Sequence, residues 1–221
     1  MFLYSVTKKK GAQLVDVLES PDDSCARMYG HSLVFKDGLL GVGAPPIEVE
    51  KCMGAVFVYQ QDGSRLEHGQ TLIAPNELDS GTFGTTMAIE DDWLFVGAPG
   101  RRDDDVAGSV AVYKRQHNQF VFKQLLQHGD RVRGGQFGIA IAAVDGVLLV
   151  GSPRYESGRV SLYQLQHGRW IHTQDIRPND EAAECGGFGL RMTAHGHFAA
   201  ISQTSGDSIN GSPMHSYCVD V

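Results

Sequence analysis

The stretch FGTTMAIEDDWLFVGAP, residues 83–99, opens with an aromatic-glycine pair and closes with Gly-Ala-Pro. The pair occurs four times, as Tyr29-Gly30, Phe83-Gly84, Phe137-Gly138 and Phe188-Gly189. The closing tripeptides are Gly43-Ala44-Pro45, Gly97-Ala98-Pro99, Gly151-Ser152-Pro153 and a degenerate Ser202-Gln203-Thr204. In all four copies the tripeptide begins 14 residues after the aromatic residue. A fixed internal spacing of this kind indicates a repeat protein.

Each repeat contains four short runs with the composition of β-strands. In the copy that starts at Phe83 these runs are TTMAI, WLFVG, SVAVY and FVFKQLL. They are rich in β-branched and aromatic residues and are bounded by Gly, Pro, Asp or Asn. The turn between the first two runs is short, as in Lys36-Asp37-Gly38, and Asp-Gly suits a two-residue hairpin. Repeats of about 50 residues with four antiparallel strands predict an all-β fold, a β-propeller with one blade per repeat.

The repeat spacing also sets the expected organisation of the chain. We expect one propeller region over residues 1–221, with full blades at 21–74, 75–128 and 129–179 and partial blades at 1–20 and 180–221. This gives about four to five blades and 17 strands, fewer than a five-bladed ring requires. We therefore expect a fragment of a longer polypeptide, or an incomplete propeller that another chain completes. The alternative is a small five-bladed ring that closes on itself.

The aromatic-glycine and Gly-Ala-Pro elements resemble those of the FG-GAP repeat family, which builds the seven-bladed propeller at the head of integrin α subunits. The resemblance implies ligand binding through rim loops, a role in cell adhesion, and an extracellular or cell-surface location. Many repeats of that family carry a calcium loop in the first hairpin, but the corresponding turns here hold only one or two acidic residues. Since calcium needs six to eight oxygen ligands, the chain resembles the calcium-free variant. We expect no metal and no cofactor.

The candidate partner-binding surface is the rim formed by the linkers between blades and by the loop between the second and third strands. Its charged residues are Asp22, Asp23, Asp79, Arg101, Arg102, Asp103, Asp104, Asp105, Asp130, Asp180 and Glu181. Family members bind ligands at this rim, so the resemblance implies a protein or glycan partner. The alternative interpretation of these residues is a solvated surface.

Composition and charge exclude several classes of partner. The net charge is −7 and no extended cluster of lysines and arginines offsets it, which argues against a nucleic-acid partner. No run reaches the roughly 18 apolar residues of a membrane span. Residues 1–11 lack the charge pattern of a secretory signal peptide.

The four cysteines contain no Cys-x-x-Cys pair, so a zinc site is not expected. Cys25 and Cys52 fall in loops that a propeller places on one face. They are either a disulfide or two free thiols.

Catalytic motifs are missing from the sequence. There is no Gly-x-Ser-x-Gly, no phosphate-binding glycine loop and no His-Glu-x-x-His. His195 and His197 form a His-x-His pair without a companion cysteine or carboxylate at metal-site spacing, and His128, His167 and His172 fall in predicted turns or on an outer strand. We therefore expect structural roles for the histidines.

We therefore predict that the chain is not an enzyme but a non-catalytic protein- or glycan-binding module. The alternative is a structural subunit or fragment packed within a larger assembly. The two differ experimentally, since rim mutations abolish partner capture without unfolding only in a binding module.

Overall fold

The computed structural model describes residues 1–21, 28–46, 54–63, 65–78, 82–100, 106–178 and 187–203. These residues form sixteen β-strands in three four-stranded and two two-stranded antiparallel sheets. The predicted fold class is confirmed: the protein is an all-β propeller of four-stranded blades. Much of the partial blade predicted at 180–221, including residues 204–221, and all four cysteines lie outside the described residues.

Each full blade is a meander in which consecutive strands pair in sequence order. The first blade contains β3 (Ser32–Lys36), β4 (Leu39–Ala44), β5 (Ala55–Asp62) and β6 (Arg65–Ile73). The second contains β7 (Thr86–Glu90), β8 (Trp93–Ala98), β9 (Ser109–Gln116) and β10 (Gln119–Leu126). The third contains β11 (Ile141–Val144), β12 (Val147–Ser152), β13 (Arg159–Gln166) and β14 (Arg169–Ile176).

A two-stranded hairpin lies at each end of this series. The N-terminal hairpin consists of β1 (Phe2–Thr7) and β2 (Gly11–Val17), and the C-terminal hairpin consists of β15 (Met192–His195) and β16 (Phe198–Ile201). By repeat position, β1 and β2 are third and fourth strands of a blade, whereas β15 and β16 are first and second strands. The segment 1–20, predicted as a partial blade, contains the first of these hairpins.

The first hairpin of each full blade has a turn of two residues, as the sequence predicts. Asp37 and Gly38 have φ values of 50° and 76°, and Asp145 and Gly146 have 49° and 74°. Positive φ at both central residues is the type I′ geometry, which matches the twist of the paired strands. The constant spacing of 14 residues follows from this tight connection.

The glycines of the two motifs are the contact points between successive blades. A Cβ atom on Gly43 would lie 2.1 Å from the carbonyl oxygen of Gly84 in the next blade. Ser32 donates a hydrogen bond to the same oxygen at 2.7 Å. Gly97 repeats the arrangement, since its Cβ would lie 2.3 Å from the carbonyl oxygen of Gly138. A side chain at Gly43 or at Gly97 would therefore force that blade away from the next one.

Apolar side chains fill the space between blades. Between the second and third blades, Phe95 packs against Trp170 with ring centroids 4.9 Å apart and the planes at 85°. Trp170 is only 1% exposed. The third-strand tyrosines Tyr59, Tyr113 and Tyr163 are buried at the corresponding position of each full blade. The core is thus a set of layers between sheets, as a propeller requires.

The first strands of successive blades lie side by side and line a cavity of about 490 Å³. At one end of these strands, Glu90 connects three blades. Its carboxylate binds the Lys36 ammonium of the first blade at 2.6 Å and accepts a hydrogen bond from the Asp145 amide of the third at 2.9 Å. No helix in the described part of the chain is long and apolar enough to cross a bilayer.

Candidate binding site at the rim between two blades

A cluster of polar side chains lies where the second blade meets the third. We call it the rim cluster, and it comprises His128, Asp130, Tyr155, Arg159, Ser161, His172 and Asp175. The first two residues come from the linker between β10 and β11, and Tyr155 comes from the loop between β12 and β13. The others project from β13 and β14 of the third blade. The cluster therefore joins a linker, a loop and a sheet.

Arg159 is the buried centre of the cluster. It is the first residue of β13 and is 2% exposed. Its Nη1 donates a hydrogen bond to Asp130 Oδ2 at 3.2 Å and lies 3.7 Å from Asp175 Oδ2. Its guanidinium carbon lies 3.8 Å from the ring centroid of Tyr155. Two carboxylates and an aromatic ring thus compensate a buried positive charge.

Asp175 accepts hydrogen bonds inside the cluster. Ser161 donates to its Oδ1 at 2.7 Å, and His172 Nε2 lies 2.8 Å from the same oxygen. Partial burial raises the pKa of Asp175, but the hydrogen bonds from His172 and Ser161 and the charge of Arg159 outweigh it, so the pKa falls below its usual value. The carboxylate is therefore ionised at neutral pH.

His128 is neutral in this environment. Burial and the nearby positive charge of Arg159 lower its pKa, although Asp175 and Asp130 act in the opposite direction. The Asp130 amide donates to His128 Nδ1 at 3.1 Å, so Nδ1 is an acceptor. The proton of the neutral ring is then on Nε2, which faces Asp175 Oδ2 at 3.3 Å.

Asp130 is the part of the cluster that solvent reaches, with a side chain 51% exposed. Tyr155 donates a hydrogen bond to its Oδ2 at 3.0 Å. Hydrogen bonds from Tyr155 and Arg159 lower the pKa of this carboxyl. Asp130 is thus a fixed, ionised carboxylate presented at the rim.

Asp130 is one of eleven residues that the sequence predicts at the rim, and its position is in the linker as expected. The other ten lie outside the described residues: Asp22, Asp23, Asp79, Arg101, Arg102, Asp103, Asp104, Asp105, Asp180 and Glu181. The proposed pair Cys25 and Cys52 also lies outside them.

The described surface around Asp130 also carries two arginines that the sequence analysis did not place at the rim. Arg154 binds Gln136 at 3.1 Å, and Arg177 lies 5.2 Å from the Tyr155 ring and pairs with Glu156. Cationic and anionic groups therefore alternate on this surface around one tyrosine.

The donor atoms of His128, His172 and Asp175 lie within 4.8 Å of one another, which is close enough to test as a metal site. The chemistry of these three side chains does not fit a metal ion. His128 Nδ1 accepts an amide hydrogen bond, so Nε2 would have to lose its proton to bind a metal. The Arg159 guanidinium, 3.7 Å from the Asp175 carboxylate, would also repel a cation. The arrangement is instead an ion-pair network around Arg159, whose buried Nε has no hydrogen-bond partner among the described residues.

Sequence reasoning assigned structural roles to His128 and His172 and did not connect them with Asp130. The available signal was a comparison between repeats. Strand pairing places Arg159 in register with Ala55 and Ser109 of the other blades. It likewise places Asp175 at the position of Leu125. A buried ionic network therefore replaces small or apolar residues at one interface.

Comparison with known proteins shows the fold. No protein-family model matches the chain, and no curated protein matches its sequence. A crystal structure from Bacteroides uniformis, described as a 6-phosphogluconolactonase, matches with a TM-score of 0.58 and 11% identity, over 87% of this chain and 53% of that one. A Saccharomyces cerevisiae complex of Dbp5 bound to Nup159 and Gle1 matches with a TM-score of 0.47 and 11% identity, over 90% and 56%. The chain spans about half the length of these structures.

The Bacteroides protein is described as an enzyme, which corrects the prediction that this chain is not one. That prediction was based on missing sequence motifs, yet the same architecture occurs in a protein with a catalytic description. At 11% identity the likeness shows the shared fold alone.

Proposed function

We propose that this chain is an FG-GAP-type propeller module that binds a protein or glycan partner through the rim between its second and third blades. One observation carries the proposal: the buried Arg159 fixes both the linker residue Asp130 and the loop residue Tyr155. Loops held in one conformation before binding lose less entropy on binding. The four in-phase motif pairs support the FG-GAP assignment.

The chemistry of the rim favours a polar ligand. Asp130 presents an ionised carboxylate, while Arg154 and Arg177 present exposed guanidinium groups beside Tyr155. Carboxylate and guanidinium groups bind hydroxyl-rich glycans and polar peptide segments through directional hydrogen bonds. An extracellular, adhesive role agrees with the FG-GAP resemblance and is part of this proposal.

Binding of the purified full chain to printed glycan and peptide arrays tests the proposal. Wild-type protein is compared with Asp130→Asn and with the matched control Asp62→Asn, which removes an exposed carboxylate in the hairpin between β5 and β6. We expect specific spots in at least one array that disappear with Asp130→Asn and remain with Asp62→Asn. Arrays without specific spots, or spots insensitive to Asp130→Asn, would contradict the proposal.

A second candidate function is that of a subunit packed into a larger assembly. The observation that favours it is a pair of large apolar side chains on the innermost strand of the first blade. Leu33 is 55% exposed and Phe35 is 57% exposed. Apolar side chains exposed together on a sheet face are typical of an interaction surface.

A further inference from the structure

The first strands of four blades line a cavity that is separate from the rim cluster. Strands β3, β7, β11 and β15 lie next to one another, and residues near their starts line about 490 Å³ of space. Small-molecule sites typically have volumes of roughly 300–1,000 Å³. Glu90 and its partners lie at the other end of these strands. The cavity is therefore large enough for a small ligand and has its own set of side chains.

Arg191 breaks the repeat in the wall of this cavity. Ser32, Thr86, Ala140 and Arg191 each follow the motif glycine of their blade by two residues, and all four line the cavity. Ser32 and Thr86 each donate a hydrogen bond to a carbonyl oxygen of the next blade, both at 2.7 Å. The other three blades fold without a guanidinium at this position, so the architecture does not account for Arg191.

The Arg191 side chain is exposed and has no carboxylate partner in the described part of the chain. Its Nη1 donates to the Leu190 carbonyl oxygen at 3.1 Å, and its main-chain amide donates to Ser202 Oγ at 3.0 Å. Arg159 and Arg177, by contrast, pair with carboxylates. Because a guanidinium has five N–H donors, Arg191 keeps donors for a ligand.

Charge is distributed unevenly along the first strands. Among the described residues that line the cavity, the ionisable side chains are His31 and Arg191, and neither is acidic. At the opposite end of the strands, Lys36 is paired with Glu90, and the hairpin turns carry further carboxylates: Asp37, Asp91, Asp92 and Asp145. Clefts lined by one sign of charge concentrate ions of the opposite sign. The most favourable place for an anion is therefore beside Arg191.

A band of apolar side chains also lines the cavity. It comprises the residues that follow each motif glycine by three positions: Leu33, Met87, Ile141 and Met192. Met87, Ile141 and Met192 are partly exposed. Removal of such surface from water favours the binding of an apolar group. The cavity thus combines one cationic group with an apolar wall.

We propose that this cavity binds a small organic monocarboxylate with an apolar body. The carboxylate accepts two parallel hydrogen bonds from the Arg191 guanidinium, and the apolar body lies against Met87 and Ile141. Guanidinium and carboxylate groups match each other in this bidentate geometry. Because Arg191 is a single unpaired cation, a ligand with one negative charge fits the site better than a phosphate dianion. This inference does not rest on the rim cluster or on the proposed function.

Methyl NMR of the full chain tests the proposal with hexanoate as the probe. Met87 and Met192 line the cavity, so ¹³C labelling of the methionine methyl groups reports binding at the site itself. The variants Met87→Leu and Met192→Leu assign the two signals. We expect both signals to shift saturably with hexanoate, at an affinity at least about tenfold higher than for hexanol, acetate or hexyl phosphate. Hexanol lacks the charge, acetate lacks the apolar body, and hexyl phosphate carries the larger charge.

Variants of two exposed arginines test whether Arg191 holds the carboxylate. We expect Arg191→Gln to bind hexanoate no more tightly than hexanol. The control Arg169→Gln, which removes an exposed arginine of β14, should bind hexanoate as wild type does. Asp130→Asn should also leave hexanoate binding unchanged, so a failure of the rim proposal and a failure of this one can be distinguished.

Three results would overturn the proposal. They are the absence of hexanoate shifts at both methyl groups, equal affinities for hexanoate and hexanol, and unchanged hexanoate binding in Arg191→Gln. Tighter binding of hexyl phosphate than of hexanoate would overturn the assignment of the ligand as a monocarboxylate.

Discussion

The buried guanidinium of Arg159 donates to the exposed carboxylate of Asp130 at 3.2 Å. This hydrogen bond joins the first residue of a third-blade strand to the linker that leaves the second blade. Arg159 is 2% exposed, whereas the Asp130 side chain is 51% exposed. The charge that fixes the rim is therefore hidden, and the group that it fixes is available to a ligand.

We expect Arg159→Ala to destabilise the fold and to loosen the rim. The change leaves Asp130 and Asp175 without their cation. The loss should be about 2–3 kcal/mol, below the 3–5 kcal/mol of a fully buried pair because both carboxylates contact solvent. Urea unfolding followed by circular dichroism measures it. The control Arg169→Ala removes an exposed arginine of the same blade and should change stability by less than about 0.5 kcal/mol. Equal losses in the two variants would show that the network does not stabilise the fold.

Stability should fall in mild acid because of His128. Its folded pKa lies below the ordinary 6.5, so the unfolded chain takes up a proton first as the pH decreases. The stability that neutral His128 contributes is fully present above about pH 6.5 and is lost as the pH falls from there through the folded pKa. Protonation of Asp130 and Asp175, whose pKa values are lowered from 3.8, removes more stability in stronger acid.

Unfolding free energies at about pH 7.5 and about pH 5.5 check this expectation. The variant His128→Asn keeps an acceptor for the Asp130 amide and should reduce the difference between the two conditions. The control His117→Asn, in an exposed turn, should keep it. If His128→Asn retains the full difference, another group is responsible.

Gly97→Ala should separate the second and third blades. The new Cβ would lie 2.3 Å from the Gly138 carbonyl oxygen and 2.1 Å from Thr86 Oγ1. Relief of the first clash requires the Gly138 backbone to move, which costs free energy. We expect a loss of about 3 kcal/mol or more, or a failure to fold. Gly129→Ala is the matched control, since its Cβ would meet nothing within 4 Å. A stable Gly97→Ala variant with unchanged melting would refute the role of the motif glycine.

Chelation of calcium should leave the melting temperature unchanged. The first hairpins turn through Asp37-Gly38, Asp91-Asp92 and Asp145-Gly146, and two residues cannot supply the six to eight oxygens that calcium needs. Calorimetry with and without EGTA measures the effect. A clear fall in melting temperature that calcium reverses would place a calcium site in this protein.

Much of the architecture could be predicted from the sequence because it depends on local and repeated features. The two-residue turns, the alternation of strands and the motif glycines recur in phase, so the blades follow from periodicity. The assignment to FG-GAP repeats stays a prediction. The expectation that the chain is not an enzyme was wrong because absent motifs do not exclude chemistry on a propeller.

The rim cluster could not be predicted in the same way because it breaks the repeat. Arg159 and Asp175 occupy positions that hold Ser109 and Leu125 in the second blade. They are 16 residues apart in sequence, and their shared partner Asp130 belongs to the preceding linker. The pairing of β13 with β14 places Arg159 near Asp175, and the linker that enters the third blade brings Asp130 to Arg159.

The most direct test of the central claim is the dissociation constant of the strongest glycan or peptide ligand found on the arrays, measured by calorimetry. Wild-type protein is compared with Asp130→Asn, Tyr155→Ala and the control Asp62→Asn. The account predicts binding at least about tenfold weaker for the two rim variants and unchanged for the control, with all variants folded. Unchanged affinity in both rim variants would contradict it.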